Sequence, residues 1–251
     1  MKVGDVHETV KSGKLAITNI KNKSNVDVVF IDTGYRKTTT YKRVILGNIK
    51  DPYARSVFGV GFISEGKYKP SYKGKVTSEY VSWSNMLSRC YNEKIKTKKY
   101  AECTVCDEWH NFQNFAKWHE DNHPKDGKKY YLDKDYIKIN NKVYSPESCM
   151  FISGIVNSFM SDSESARGEY AIGVHMHKRS MKITANCNNP ITGRMEYLGS
   201  YNTEMEAHIA WRNRKIELCS DLSDISDSNN DKLALSNYKE ALESFMIHNT
   251  K

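Results

Sequence analysis

The spacing of hydrophobic and polar positions changes along the chain and predicts stretches of different structure. Between residues 14 and 47, short segments rich in β-branched residues partly alternate apolar and polar side chains, and turn residues separate them. The segments are KLAITNI, VDVVFID and YKRVILG. Alternation with a period of two is typical of half-buried strands. We therefore expect residues 1–66 to form a small barrel-like β module.

Helical spacing replaces the alternation after a polar stretch. Residues 67–79 (KYKPSYKGKVTSE) lack an apolar period, and we expect a linker or extended arm there. Beyond them, apolar side chains recur every three to four positions. The segments with this spacing are EYVSWSNMLSRCYN and NFQNFAKWHED. They predict two amphipathic helices around an aromatic core.

The second half of the chain returns to short strands followed by helices. Residues 130–165 predict a strand, a turn, two short extended pieces and the start of a helix. Residues 170–219 predict a three-stranded antiparallel meander and a helix, with Thr203 as its N-cap. DKLALSNYKEALESFMIH predicts a terminal helix. The predicted fold class is α+β, built from several small modules.

Composition restricts the class of partner. The chain has 38 Lys or Arg against 30 Asp or Glu, a formal net charge of +8, and a pI near 9.0. A basic protein most simply binds a polyanion. Residues 1–50 carry 10 basic against 4 acidic side chains, and residues 220–251 carry 3 against 6. We expect the basic first module to bind nucleic acid or protein or to act as a plain spacer, and the acidic end to serve folding or oligomerisation.

Hydropathy predicts the compartment. No apolar run approaches the ~20 residues of a membrane span, and the first residues lack the apolar stretch of a signal peptide. We therefore expect a cytoplasmic protein without a membrane partner. Its six cysteines are then expected to be reduced.

A long pattern between residues 83 and 159 resembles a known family. Its parts are WSNMLSRCYN, YAECTVCDEWHNFQNFAKW, LDKD, NKVYSPESCMFI and VNS. Together they resemble the His-Asn-His nucleases of the phage and homing-endonuclease type. The resemblance implies a ββα fold over residues 80–167 that holds one Mg²⁺ or Mn²⁺ and hydrolyses DNA. A phage-encoded nuclease of this type would act in the cytoplasm of the bacterial host cell.

The resemblance assigns roles to individual residues. Asp133 falls on the carboxylate at the end of the first strand and Asn157 on the helix asparagine, the two metal ligands of the family. Lys134 stands where the family has the histidine that activates water. Because lysine is protonated at neutral pH, we expect it to contact phosphate or stabilise transition-state charge. Water would then be activated by the metal, by the substrate or by another side chain. The candidate side chains are Asp135, expected on the same strand face as Asp133, and His123 in the loop before the strand.

A second pattern resembles the Apetala-two DNA-binding domain, which occurs in plant transcription factors and fused to phage nucleases. Its parts are IGVHMHKRSMKITANC and EYLGSYNTEMEAHIAW. The resemblance implies that residues 168–220 place a sheet in the major groove of double-stranded DNA, and residues 221–251 follow as an acidic helix or tail. The side chains expected to contact DNA are His175, His177, Lys178, Arg179, Lys182, Thr184, Asn186, Arg194 and Tyr197. Nucleases with this domain often have arginine where this chain has Lys134, so a cation there is compatible with activity.

The cysteines and Lys134 leave two questions open. Cys90, Cys103, Cys106 and Cys149 have the chemistry for a structural zinc ion, but only one C-x-x-C pair is present, and plain core packing fits them too. The function we predict first is a metal-dependent DNA endonuclease. The alternative is a non-catalytic DNA- or protein-binding factor, such as a regulator or anti-defence protein, that keeps the nuclease fold. A homodimer or a protein partner is compatible with both.

Overall fold

The computed structural model describes residues 1–95, 97, 100–135, 137, 141–161, 169–177 and 181–249, with side chains to residue 244. The fold is α+β, as predicted. The chain divides into two compact units. Unit 1 comprises Met1–Asn122 and Lys142–Glu147, and unit 2 comprises His123–Asn141 and Ser148–Lys251. The division therefore passes through the stretch that resembles nucleases.

Unit 1 begins with an antiparallel sheet in the order β1-β2-β3-β4. Its strands are β1 (Val6–Glu8), β2 (Lys14–Asn22), β3 (Asn25–Phe30) and β4 (Arg36–Thr39). The alternate residues Leu15, Ile17, Val26, Val28 and Phe30 are buried on one face, as the alternation predicted. Among the described strands, β1 and β4 form two separate edges, so this sheet is an open meander rather than a closed barrel.

The prediction of a strand at YKRVILG is wrong. Its first residues form a short helix, α1 (Tyr41–Ile45). The Thr40 hydroxyl accepts a hydrogen bond from the backbone N–H of Arg43 and so caps the helix start. Of the α1 residues only Val44 is buried, and it packs into the core beneath the sheet. A single apolar contact satisfies a helical turn as well as a strand, which explains the misassignment.

Residues 67–79 contain an anchored hairpin where the sequence predicted a linker. Strands β5 (Ser71–Tyr72) and β6 (Lys75–Val76) pair antiparallel. The two turn residues between them, Lys73 and Gly74, have φ values of 48° and 77°, as a two-residue hairpin turn requires. The chain just before β5 is fixed by Gln113, whose side chain accepts from the Tyr68 N–H and donates to the Tyr68 carbonyl.

The rest of unit 1 is helical around aromatic side chains. Its elements are α2 (Ser78–Tyr91), β7 (Thr104–Val105), α3 (Asp107–His110), α4 (Phe112–Asn122) and β9 (Val143–Tyr144). Helices α2 and α4 confirm the two predicted amphipathic helices. Trp83, Trp109, Phe112 and Phe115 are fully buried, and the Trp83 indole donates to the Trp109 carbonyl at 2.7 Å. β7 pairs in parallel with β9.

The described part of unit 2 contains a hairpin, a three-stranded sheet and three helices. The elements are β8 (Tyr130–Asp133), β10 (Met150–Ser153), α5 (Gly154–Met160), β11 (Val174–His177), β12 (Lys182–Asn189), β13 (Arg194–Tyr201), α6 (Glu204–Ile225) and α7 (Asn229–Asn249). The antiparallel order β11-β12-β13 confirms the predicted meander. Thr203 caps α6 as predicted, and Glu206 completes a capping box with it.

One hydrophobic core joins most elements of unit 2. The cluster contains residues of β10, α5, β12, α6 and α7. Its larger members are Met150, Ile152, Val156, Phe159, Met160, Trp211, Leu218, Leu222, Leu235 and Leu242. Stretches that the sequence suggested were separate modules therefore pack together here. No helix in the described part of the chain combines the length and apolarity that a bilayer span requires.

Candidate functional site

The strand–strand–helix order implied by the nuclease resemblance is present in unit 2. β8 ends at Asp133, which pairs with Met150 at the start of β10. β10 runs back to Ser153, whose hydroxyl caps α5 by accepting from the Val156 N–H. The strand partner of Asp133, Met150, precedes Ser153 by three residues, which is about 10 Å along the strand. Asn157 follows Ser153 by four residues, which is about 6 Å along the helix axis. Both predicted metal ligands thus belong to one hairpin-helix.

The oxygen donors of the two predicted ligands differ in their surroundings. One carboxylate oxygen of half-buried Asp133 accepts the backbone N–H of Asp135 at 2.8 Å. The side-chain amide of Asn157, also half-buried, makes no hydrogen bond with a described residue. One anionic and one neutral oxygen ligand match the preference of Mg²⁺ or Mn²⁺ for hard donors. No group of three or more His, Cys, Asp or Glu among the described residues is arranged to hold a metal, but the two-ligand set proposed here includes an amide.

The side chain of Lys134 is buried and bonded within the protein. Its side chain is 5% exposed, and its ammonium donates to the Asp135 carboxylate and, at 2.8 Å, to the Asn141 carbonyl. The Asn141 amide donates back to the Lys134 carbonyl at 3.1 Å. In this arrangement Lys134 connects two backbone segments, and the expected phosphate contact has no support. Asp135 lies beyond the end of β8, so it does not share a strand face with Asp133 as expected.

His123, the second candidate for water activation, is held beside the hairpin. Its ring packs edge-on against Phe151 of β10 at a centroid distance of 4.8 Å and against Tyr130 of β8 at 5.8 Å. Its Nδ1 lies 2.8 Å from the Pro124 carbonyl. The structure therefore places an imidazole against the predicted nuclease hairpin, although not at the position of the family's histidine.

Two buried charged residues that sequence reasoning missed support α5 at its two ends. The Asp231 carboxylate of α7, 3% exposed, accepts the backbone N–H of Ser153 at 2.8 Å. The Lys215 ammonium of α6 donates to the Phe159 carbonyl at 2.6 Å and lies 3.7 Å from the centre of the Phe159 ring. These contacts span 78 and 56 residues, so no local sequence signal points to them.

The three-stranded sheet brings six of the predicted DNA-contacting residues to one face. The register places them on the side away from α6, because the alternate residues Val174, Ala185 and Cys187 are buried in the cores that include α6. The six are His175, His177, Lys182, Thr184, Asn186 and Tyr197. We call this surface the outer sheet face. Tyr197 is 66% exposed, and its hydroxyl is within 2.8 Å of the Ser200 hydroxyl.

Of the remaining predicted DNA contacts, Arg194 lies on the other side of the sheet. Arg194 pairs with Asn189 next to the turn between β12 and β13. It is two positions from Glu196 on β13, so both lie on the side of the sheet that faces α6. Glu196 forms a salt bridge with Arg214 of α6 at 2.7 Å, and this bond lowers the pKa of its carboxyl. The negative charge of Glu196 is therefore paired on the side of the sheet opposite the outer sheet face. Lys178 and Arg179 lie outside the described residues.

An exposed methionine on the outer sheet face was missed by the sequence analysis. Met195 pairs with Asn188 two positions from Tyr197, and it is largely exposed. An apolar side chain on a strand that enters the major groove suits the methyl group of thymine. The sequence indicates Met195 only through the alternation of β13, which places this apolar residue on the same face as Tyr197.

No disulfide joins the cysteines of the described residues. Cys90, Cys103 and Cys106 belong to unit 1 and Cys149 belongs to unit 2. Cys90, Cys103 and Cys149 are buried. Burial raises the pKa of the Cys106 thiol, which disfavours the thiolate form that binds zinc.

No protein-family model, no curated protein and no solved structure matches the chain. The candidate site rests on residue pattern and geometry.

Proposed function

We propose that the protein is a metal-dependent DNA endonuclease of the ββα type, which binds double-stranded DNA through the outer sheet face in the cytoplasm of a bacterial host cell. The observation that carries the proposal is the hairpin-helix formed by β8, β10 and α5, with Asp133 at the strand end and Asn157 in the helix. The outer sheet face in the same unit adds polar and aromatic side chains suited to a DNA groove.

The residues of the site have distinct tasks in this proposal. A Mg²⁺ or Mn²⁺ ion held by Asp133 and Asn157 would supply a Lewis acid for the scissile phosphate. The Asp135 N–H orients the Asp133 carboxylate. Ser153 and Lys215 hold the two ends of the helix that carries Asn157. Together they fix the donors before substrate arrives, which is how a rigid site lowers the cost of reaching the transition state.

Removal of a proton from the attacking water is the step in which this chain departs from the family. Lys134 replaces the histidine and is bound to the Asp135 carboxylate. With Asp135 engaged, His123 is the remaining side-chain candidate for the general base, although the rings it packs against, Phe151 and Tyr130, lie on the hairpin face opposite Asp133.

The test is cleavage of supercoiled plasmid with Mg²⁺ or Mn²⁺. We expect Asp133→Ala and Asn157→Ala to lower the cleavage rate by about 100-fold or more, while duplex binding is retained. The matched controls are Asp224→Ala and Asn213→Ala, which remove the same groups from exposed positions of α6. Cleavage that persists in Asp133→Ala would show that the reaction occurs at another site.

The non-catalytic alternative is favoured by one specific observation, the inward ammonium of Lys134 at the position of the family's histidine. Lys134→His separates the two functions. If the wild type is inert with every divalent ion but Lys134→His cleaves, the chain is a DNA- or protein-binding factor that kept a nuclease fold. If the wild type cleaves and Asp133→Ala does not, the endonuclease function holds.

A further inference from the structure

The excess positive charge of the protein is confined to its first 80 residues. Residues 1–80 contain 15 Lys or Arg and 7 Asp or Glu, a net charge of +8. Residues 81–251 contain 23 of each, a net charge of zero. The whole formal net charge of +8 therefore belongs to a part of unit 1, and neither the hairpin-helix nor the outer sheet face accounts for it.

Part of this charge surrounds a groove in unit 1 with a volume of about 660 Å³. Four lysines from separate segments line it. They are Lys11 between β1 and β2, Lys37 in β4, Lys50 after α1 and Lys69 before β5. We call this cavity the lysine groove. Its volume equals that of a cube with an edge of about 9 Å. A DNA duplex is wider than its own major groove, which measures ~12 Å. The lysine groove therefore has room for part of one strand only.

The two carboxylates that line the groove, Asp51 and Glu65, accept hydrogen bonds from neutral groups and keep their charge, so the four lysines leave an excess of two positive charges. Buried Asp51 accepts hydrogen bonds from the Thr33 hydroxyl and from the Tyr53 N–H. Glu65 accepts from the Tyr35 hydroxyl at 2.8 Å. Burial, followed by this bond, raises the pKa of Tyr35 to about 12. None of the four groove lysines forms an ion pair with a described carboxylate.

Aromatic rings and a further cation extend the lysine groove. A second cavity of about 440 Å³ shares Lys11 and Ser12 with it and adds Tyr53 together with one cation, Arg55, and one carboxylate, Asp32. Tyr53 is 39% exposed, and its ring centre lies 5.5 Å from that of Tyr35. A basic groove beside exposed aromatic rings is the combination by which proteins bind single strands, with cations on phosphates and rings under bases.

We infer that the lysine groove binds a single strand of nucleic acid, with its lysines on the phosphates and Tyr53 beneath a base. The site lies in unit 1 and uses no residue of the proposed nuclease site. It therefore goes beyond the proposed function. A single strand fits the charge, the size and the aromatic ring together, whereas an acidic protein segment would use the charge alone.

The experiment measures the affinity of the full chain for a short fluorescent oligothymidylate and for a duplex of the same length, in chelator. The groove variant is Lys11→Gln with Lys37→Gln and Lys50→Gln. The matched control is Lys21→Gln with Lys23→Gln and Lys42→Gln, which removes the same charge from exposed positions that line neither cavity. We expect the groove variant to lose at least ~10-fold single-strand affinity and about 2 units of log–log salt slope. The control should lose no more than ~3-fold at physiological salt.

A second pair of variants tests the aromatic contact. Tyr53→Leu should weaken oligothymidylate binding by about fivefold or more, whereas Tyr41→Leu, at an exposed position of α1, should not. Thermal unfolding of each variant verifies that it is folded.

Three outcomes would overturn the inference. The first is an equal loss of affinity in the groove and control triple variants. The second is tighter binding of the duplex than of the single strand through the same lysines. The third is displacement of the oligonucleotide by polyglutamate together with no effect of Tyr53→Leu, which would identify an acidic protein as the partner. Because binding is measured in chelator, an inactive metal site would not alter the result.

Discussion

At the residue scale, His110 is a histidine whose surroundings disfavour its charge. It is 9% exposed at the end of α3, and its Nε2 lacks a hydrogen-bond partner among the described residues. Burial lowers the pKa of this imidazole, and the nearby Asp107 carboxylate, 3.6 Å from Nδ1, offsets only part of the effect. The folded state therefore prefers the neutral ring.

The pH dependence follows from the direction of this shift. The unfolded chain takes up the proton first as the pH falls, so the stability that the neutral ring contributes is present above about pH 6.5 and is lost below it. We expect the unfolding temperature to fall between pH 6.5 and pH 5, and His110→Leu to reduce that dependence. His175→Gln, at an exposed position, should leave it unchanged. A pH profile that is the same in His110→Leu and the wild type would contradict the prediction.

Lys134 shows the limit of inference from residue type. Its position in the motif was evident from the sequence, and its charge predicted a phosphate contact. The direction of its ammonium depends on Asp135 and on Asn141, seven residues away, and the motif contains no information about that loop.

At the element scale, regular patterns predicted the structure well and short segments did not. The alternation in β2 and β3 and the helical spacing in α2 and α4 each involve several buried positions, so chance matches are few. α1 and the β5–β6 hairpin each depend on one cap or one turn, at Thr40 and at Lys73–Gly74. Such local chemistry is easily outweighed by apolar spacing when a sequence is interpreted.

Helix α7 offers a matched test of its own role. Leu235 is 1% exposed and belongs to the core of unit 2, whereas Leu233, in the same helix, is 48% exposed. Leu235→Ala should lower the free energy of unfolding by about 2–5 kcal/mol, and Leu233→Ala by less than about 1 kcal/mol. Urea unfolding measures both. Equal effects would mean that α7 is the loosely attached acidic tail that its composition suggested.

At the scale of the whole molecule, the sequence identified the candidate ligands but not their support. Asp133 and Asn157 belong to a local pattern, whereas Lys215 and Asp231 reach α5 from elements far along the chain. The shared core of unit 2 also depends on contacts between elements that are far apart along the chain. Apolar residues of β10, α5, α6 and α7 each fit a local element, and only the folded chain shows that they meet.

A shortened chain tests this dependence. Removing all residues after Ser161 deletes Trp211, Leu218 and Leu235 from the core that covers α5. We expect amide protons of β10 and α5 to lose their protection from hydrogen exchange, while those of α2 and α4 in unit 1 remain protected. Protected amides in α5 of the shortened chain would show that the hairpin-helix folds without its partners.

The bond between Ser153 and Asp231 also sets an order of events during protein synthesis. The two residues are 78 positions apart, and a ribosome adding about 5–20 residues per second needs roughly 4–16 s to travel between them. During that interval the nascent hairpin-helix has neither the carboxylate at its start nor the apolar cover of α7. If the hairpin-helix cuts DNA and needs these contacts, a nascent chain gains the ability to cut only after α7 has been translated.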